Sequence, residues 1–110
     1  MFKFFPAYPT WISTAFAISL AGATPVFIDI NPNTYQLDAN LLEQAITSRT
    51  KAIIPVHLFG HPAPMDEIEG ICQQHNIRII EDVAQAPLAR ISGRTVGTIG
   101  SLGCFSFYPS

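Results

Sequence analysis

Apolar residues along the chain fall into short blocks closed by turn chemistry, and their period switches between that of a helix and that of a strand. Residues 12–21 are almost continuously apolar (Ile12, Ala15, Phe16, Ile18, Leu20) and end at Gly22, a residue suited to the left-handed C-terminal position, with Pro25 just beyond. A helix apolar on most sides expects burial. Residues 25–30 then read as a strand stopped by Asn31-Pro32-Asn33. Asp38 suits the cap of a second helix, whose Leu41, Leu42, Ala45 and Ile46 recur at helical spacing. Residues 52–56 form the next expected strand. After a loop over 57–63, a third helix begins near Pro64 with Met65, Ile68, Ile71 and Cys72 on one side, and Asn76 ends it. Residues 77–81 make a further strand. Strand centres near Phe27, Ile54 and Ile80 thus recur with a helix between each pair, a βαβαβ rhythm. Right-handed crossovers make such strands parallel, with both faces of the sheet covered. Past Asp82, Gly93, Gly97, Gly100 and Gly103 read as turns leading to a last strand over 104–107. The expected class is α/β, without linker or internal repeat.

Composition narrows the function classes. A chain of 110 residues, 48% hydrophobic and 13% charged, allows one domain or part of one. Its formal charge of -2, with six Lys+Arg and no basic cluster, gives no footprint for nucleic acid or an anionic membrane. Cys72 and Cys104 lie among apolar residues without the dense spacing of a secreted disulfide scaffold, which favours a reduced, cytoplasmic setting. The apolar start at Met1 carries one positive charge, but Pro6 and Pro9 break it well short of a signal peptide. No run approaches the roughly 18 apolar residues of a membrane-spanning helix.

Among candidate chemical groups, Asp82 falls at the carboxyl end of an expected parallel strand, where open α/β sheets bind ligands. From position alone a turn or capping aspartate is the better reading. Gln85 alone reads as a solvated loop residue, Trp11 as a core tryptophan. Ser106, in an apolar strand, needs a hydrogen-bond partner wherever it is buried. His57 and His61 have the i, i+4 spacing of a zinc helix, yet Gly60 and Pro62 argue against a helix and no Glu follows His57. No metal site is expected, and both are read as loop histidines. Glu81 and Asp82 are neighbours on a strand and point to opposite faces, so they cannot flank one bond as paired acids. The glycines over 93–103 lack both the phosphate-loop ending and the dinucleotide fingerprint.

Four segments taken together carry a family resemblance: Glu81-Asp82-Val83-Ala84-Gln85-Ala86, Gly103-Cys104-Phe105-Ser106-Phe107-Tyr108-Pro109-Ser110, residues 22–30 and residues 50–60. Over about residues 11–110 the chain resembles the DegT/DnrJ/EryC1/StrS family of sugar aminotransferases, which work with pyridoxal phosphate. The resemblance implies a partial three-layer, mostly parallel sheet, part of a fold-type I (aspartate aminotransferase-like) large domain, with 1–110 an incomplete large domain and the C-terminal small domain absent. Asp82 would face the pyridine nitrogen of pyridoxal phosphate, where a carboxylate keeps that nitrogen protonated so that the ring can accept electrons. Gln85 would touch the ring edge, Ser106 the phosphate and Trp11 the ring face.

The family's Schiff-base lysine is expected directly after Ser110. The lysines of this chain, Lys3 and Lys51, match no such position, so the chain alone is expected to be inactive. Implied partners are an amino-acid donor, glutamate by the family pattern, and a nucleotide-linked keto-sugar, in a homodimer. Amino-sugar or cell-surface polysaccharide synthesis would be its setting. Two alternatives stay open: a noncatalytic remnant, and a piece of a sugar 3-dehydratase of the same family, in which histidine replaces that lysine. A small domain that only holds pyridoxal phosphate is a third. Departures from the family pattern are an extra residue ahead of Trp11, Pro87-Leu88 where His-Gly is common, and Ser101 where Asp is usual.

Overall fold

A computed structural model describes residues 3–6 and 12–107. Among these residues seven strands and three helices follow in chain order: β1 (Lys3–Pro6), α1 (Ile12–Leu20), β2 (Thr24–Pro25), α2 (Ala39–Ala45), β3 (Thr50–Ile54), α3 (Met65–His75), β4 (Arg78–Asp82), β5 (Arg90–Ile91), β6 (Arg94–Thr95) and β7 (Leu102–Cys104). Five of the strands form one sheet in the order β2-β1-β3-β4-β7, and every pairing in it is parallel. The remaining two make an antiparallel hairpin. The α/β class and parallel sheet expected from the rhythm are therefore present.

Local chemistry explains the helix ends. Asp38 accepts a hydrogen bond from the Asn40 N–H at 2.9 Å and so caps α2. Helix α3 starts directly after Pro64 and stops at Asn76, which takes the left-handed conformation (φ 53°) and donates its N–H back to the Cys72 carbonyl. Gly22, at φ +80°, closes α1.

Elsewhere the structure departs from the pattern for physical reasons. Lys3–Pro6 carries no period of its own, yet it lies inside the sheet between β2 and β3, from Lys3 opposite Thr50 to Pro6 opposite Ile54. Its pairing is wholly long-range, which sequence spacing does not show. The strand expected over 25–30 shrinks to two residues. Past Pro25 the chain leaves the sheet edge, and Ile30 pairs locally and antiparallel with Leu37. Likewise, β7 occupies Leu102–Cys104 rather than 104–107. Its partner β4 ends at Asp82, opposite Cys104, and the ladder between the two stops there.

Two of the glycines read as turns serve another purpose. Gly93 (φ +76°) and Gly97 (φ +89°) do sit in turns. A Cβ on Gly100, by contrast, would lie 2.7 Å from the Ile79 carbonyl oxygen, and one on Gly103 would overlap the backbone of Gly97. Close backbone approach, not turn geometry, requires glycine there. The hairpin of β5 and β6 turns at Ser92-Gly93 and is fastened to α3: Arg94 Nη2 donates to Asp66 at 2.8 Å and to Glu69 at 2.6 Å, and Ser92 Oγ to Asp66 at 2.6 Å. The Ser92 hydroxyl and then the Arg94 guanidinium hold the Asp66 carboxyl below the usual range.

The sheet separates two cores. On one face α2 and α3 bury Leu37, Leu42, Ile53, Met65, Ile68, Cys72 and Ile79. On the other, Ile18 of α1 packs with Ala23, Ile54 and Ile80. The burial expected for α1 is not met. Ile18 is its one buried residue, while Ile12, Phe16 and Leu20, spaced i, i+4, i+8, are 70%, 62% and 88% exposed. Among the described residues nothing packs on that outer stripe.

Candidate functional site

Strand β4 sends alternate side chains to the two faces. Ile79 and Glu81 go to the α2/α3 side, whereas Ile80 and Asp82 go to the α1 side, as strand pleating requires. On the α1 side, where among the described residues one thin helix covers the sheet, a cavity of about 480 Å³ remains. Its walls include Ala17, Ile18, Ile54, Ile80 and Phe105, with Ser13, Thr14, Asp82 and Cys104 adding polar groups. Asp82 is half-buried there, at the carboxyl end of β4. Its backbone is held by two bonds to the segment after β3: the Asp82 N–H donates to the Pro55 carbonyl at 3.0 Å, and the His57 N–H donates to the Asp82 carbonyl at 3.0 Å. Its Oδ1 accepts the Ala84 N–H at 3.1 Å. A carboxylate on an apolar wall at this edge of a parallel sheet suits a flat, polar-edged aromatic ring.

The other expected site residues are placed less uniformly. Gln85 is exposed and is not on the cavity wall. Its Oε1 accepts the Phe59 N–H at 3.2 Å and its carbonyl accepts the Gly60 N–H at 2.9 Å, so it fastens the turn after β3. Ser106 is exposed and follows Phe105, which does line the cavity. Trp11 lies outside the described residues, as do Tyr8 to Thr10 and the terminal Tyr108 to Ser110. Cys72 is buried in α3, where burial pushes its thiol up to about 11, and Cys104 is exposed in β7 rather than embedded. No group of three or more metal-binding side chains occurs among the described residues.

Opposite Asp82, through the same strand, lies a cluster that the reading of His57 as an ordinary loop histidine missed. His57 and Glu81 are both completely buried and meet at 3.0 Å, Nε2 to Oε1. The Ala63 N–H donates to Nδ1 at 2.9 Å, so Nδ1 carries no proton and Nε2–H is the donor to Glu81. Glu81 collects three further donors, Gly97 N–H on Oε1 at 2.7 Å and Ile99 and Gly100 N–H on Oε2 at 2.8 and 2.7 Å. All four acceptor positions of the carboxylate are thereby used. Burial holds His57 below the ordinary imidazole value despite the nearby Glu81 and Asp82 charges. Burial also pushes Glu81 upward, but the Gly100, Gly97, His57 and Ile99 donors outweigh it and keep the carboxyl below its usual range. The pair is neutral imidazole and carboxylate. One signal was available in the sequence: a glutamate ending an apolar strand must find several donors if buried.

The family model for the DegT/DnrJ/EryC1/StrS aminotransferase family matches residues 6–110. The chain belongs to this family. The match begins five residues before the resemblance expected from about residue 11 and takes in the end of β1. Among curated relatives, the UDP-N-acetyl-3-dehydro-alpha-D-glucosamine 3-aminotransferase of Acidithiobacillus ferrooxidans is 54% identical over 101 residues, covering 92% of this chain and 27% of the relative. Among solved structures, DesV from S. venezuelae superposes with a TM-score of 0.89 at 41% identity, over 97% of this chain and 29% of its own. An E. coli GDP-4-keto-6-deoxy-D-mannose-3-dehydratase, solved with bound hydrated PLP, gives 0.91 at 32% identity, over 97% and 28%. The chain thus spans less than a third of the length of these relatives, and its fold is that of the fold-type I pyridoxal-phosphate enzymes.

Proposed function

We propose that residues 1–110 form part of the large, cofactor-binding domain of a pyridoxal-phosphate-dependent aminotransferase, with a small C-terminal domain outside this sequence. Its reaction passes an amino group from an amino acid, glutamate as donor, to a nucleotide-linked keto-sugar. The observation that carries this reading is Asp82, half-buried at the carboxyl end of β4 on the wall of the roughly 480 Å³ cavity, inside a chain matched to the family almost throughout. The fit is chemical as well as positional. Ile54 and Ile80 offer an apolar wall to a ring, and the Asp82 carboxylate offers a counter-charge to a protonated ring nitrogen.

Bound here, pyridoxal phosphate supplies an electron sink for the substrate carbon. Asp82 holds the proton on the ring nitrogen, and the Ala84 N–H keeps the carboxylate oriented. Gln85 offers its amide at the ring edge, Ser106 its hydroxyl at the phosphate, and Trp11 its indole at the ring face. The relatives named as sugar aminotransferases support a nucleotide-linked sugar as acceptor. A homodimer working in the cytoplasm completes the proposal, and no helix among the described residues is long and apolar enough to cross a membrane.

A second reading, a sugar 3-dehydratase, rests on the equal fit to a solved dehydratase. The residue following Ser110 discriminates: lysine belongs to amino transfer, histidine to dehydration. The deciding experiment takes the full gene product carrying this segment, loads it with pyridoxal phosphate, and supplies glutamate with a UDP-linked 3-keto-sugar. Amino-sugar formation that Asp82→Asn abolishes supports the proposal. Pyridoxal phosphate binding that Asp82→Ala leaves unchanged would sink the site.

A further inference from the structure

The two carboxylates at the end of β4 serve one site from opposite sides. We propose that Glu81, with His57 behind it, is a positioning residue that sets Asp82 and the strand leading to Ser106 in a fixed mutual register. The inference rests on the cofactor reading above and goes beyond it, because Glu81, although it borders the cavity, spends its carboxylate on His57 and the loop before β7 and has no role in that reading.

Three observations carry it. First, Glu81 joins segments that the sheet ladder alone joins weakly. Its four donors come from His57, which follows β3, and from Gly97, Ile99 and Gly100, which precede β7. A single side chain thus ties both neighbours of β4 together just beneath Asp82. Second, the ladder at this point is short. β7 pairs with β4 over three residues only, Ile80 with Leu102, Glu81 with Gly103 and Asp82 with Cys104, and then the Val83 N–H reaches the Cys104 carbonyl at 2.8 Å. The β4–β7 ladder thus begins directly after the loop that Glu81 holds and leads straight into the segment that carries Ser106. Third, the carboxylate is saturated: an amide in its place would bring an N–H₂ against at least one N–H donor. Such a group specifies one arrangement, since any slip of the loop by one residue strands buried donors.

His57 completes the device by its tautomer. Its Nδ1 is occupied by the Ala63 N–H, so the ring presents Nε2–H to Glu81 in one orientation. Glutamine at position 57 carries a donor and an acceptor that reproduce both contacts, whereas leucine reproduces neither.

The test uses the full gene product loaded with pyridoxal phosphate, comparing wild type with Glu81→Gln, His57→Leu, His57→Gln and Asp82→Ala. The readouts are cofactor affinity, the phosphorus NMR line of the bound phosphate and the nitrogen NMR shift of the ring nitrogen, each recorded where near-ultraviolet circular dichroism shows native packing. Glu81→Gln and His57→Leu are expected to weaken cofactor binding about tenfold, the scale on which outer-sphere supports act. They are also expected to shift or broaden both NMR signals together, with His57→Gln restoring them. Should Glu81→Gln fail to fold, the His57 pair carries the comparison, because three backbone donors still hold the carboxylate. Folded variants with wild-type affinity and unmoved signals, while Asp82→Ala still weakens binding, would overturn the inference and leave the cofactor reading intact. A wild type that binds no pyridoxal phosphate would overturn both.

Discussion

The two faces of the central sheet differ in a way that explains what each is for. On the α2/α3 face, Leu42, Ile53, Met65 and Ile68 are completely buried, and even the charged group there, Glu81, is closed off and fully hydrogen-bonded. On the α1 face one short helix buries only Ile18, and a cavity opens beside Asp82. Adjacent carboxylates on one strand thus live in opposite environments. A tight, satisfied face can support precise geometry, and an open face can admit a ligand; β4 connects the two by pleating alone.

The sharpest way to break this comparison is to remove each carboxylate in turn. Glu81→Leu removes the acceptor of four donors, that of His57 completely buried, and should cost about 3 to 5 kcal/mol of stability, whereas Asp82→Ala should change stability by less than about 1 kcal/mol. Urea midpoints of the full gene product check this, and equal losses would refute the division of labour. Next in size, Ile68→Ala on the closed face should cost about 2 to 5 kcal/mol, while Phe16→Ala, whose side chain is 62% exposed, should stay within about 0.5 kcal/mol in the isolated chain. A large loss for Phe16→Ala in the longer gene product alone would show that its outer stripe is covered there.

Acid sharpens the same contrast. His57 has its folded value lowered, so its contribution is complete above the ordinary imidazole value of about 6.5 and declines as pH falls through the folded value. Glu81, also lowered, contributes fully above the ordinary carboxylate value of about 4.3 and is lost as pH falls further. Both slopes have the same sign. Stability should therefore decline in acid, first below about pH 6.5, and His57→Gln should flatten that first stage in pH-dependent unfolding.

Leu88 offers a smaller effect. It stands at φ 66°, in the left-handed region, with its side chain 84% exposed. Glycine suits that conformation, and Leu88→Gly should stabilise the fold by about 1 kcal/mol, read as a rise in melting temperature. Smallest of all, Arg94→Ala should leave both sheet faces unchanged and only quicken hydrogen exchange in the hairpin of β5 and β6, because the Asp66 and Glu69 contacts lie at the surface.

Much of this was legible in the residues. The caps at Asp38 and Asn76, the βαβαβ order and the opposite facing of Glu81 and Asp82 follow from local spacing and side-chain chemistry, which act over a few residues. The strand at Lys3–Pro6 was hidden because its partners lie about 20 and 50 residues away and its own pattern has no period. His57 was misread for the same reason: nothing near it in the chain announces a glutamate 24 residues on.

The sequence by itself determined the family, the class of fold and the placing of Asp82 at a strand's carboxyl end, since these rest on local motifs and periodicities. Only the tertiary structure decided that Gly100 and Gly103 are glycines of close approach, that Glu81 is an ionised, saturated knot, and that α1 leaves its apolar stripe uncovered among the described residues. Those outcomes depend on which distant segments meet, a matter of packing and burial that no local rule contains.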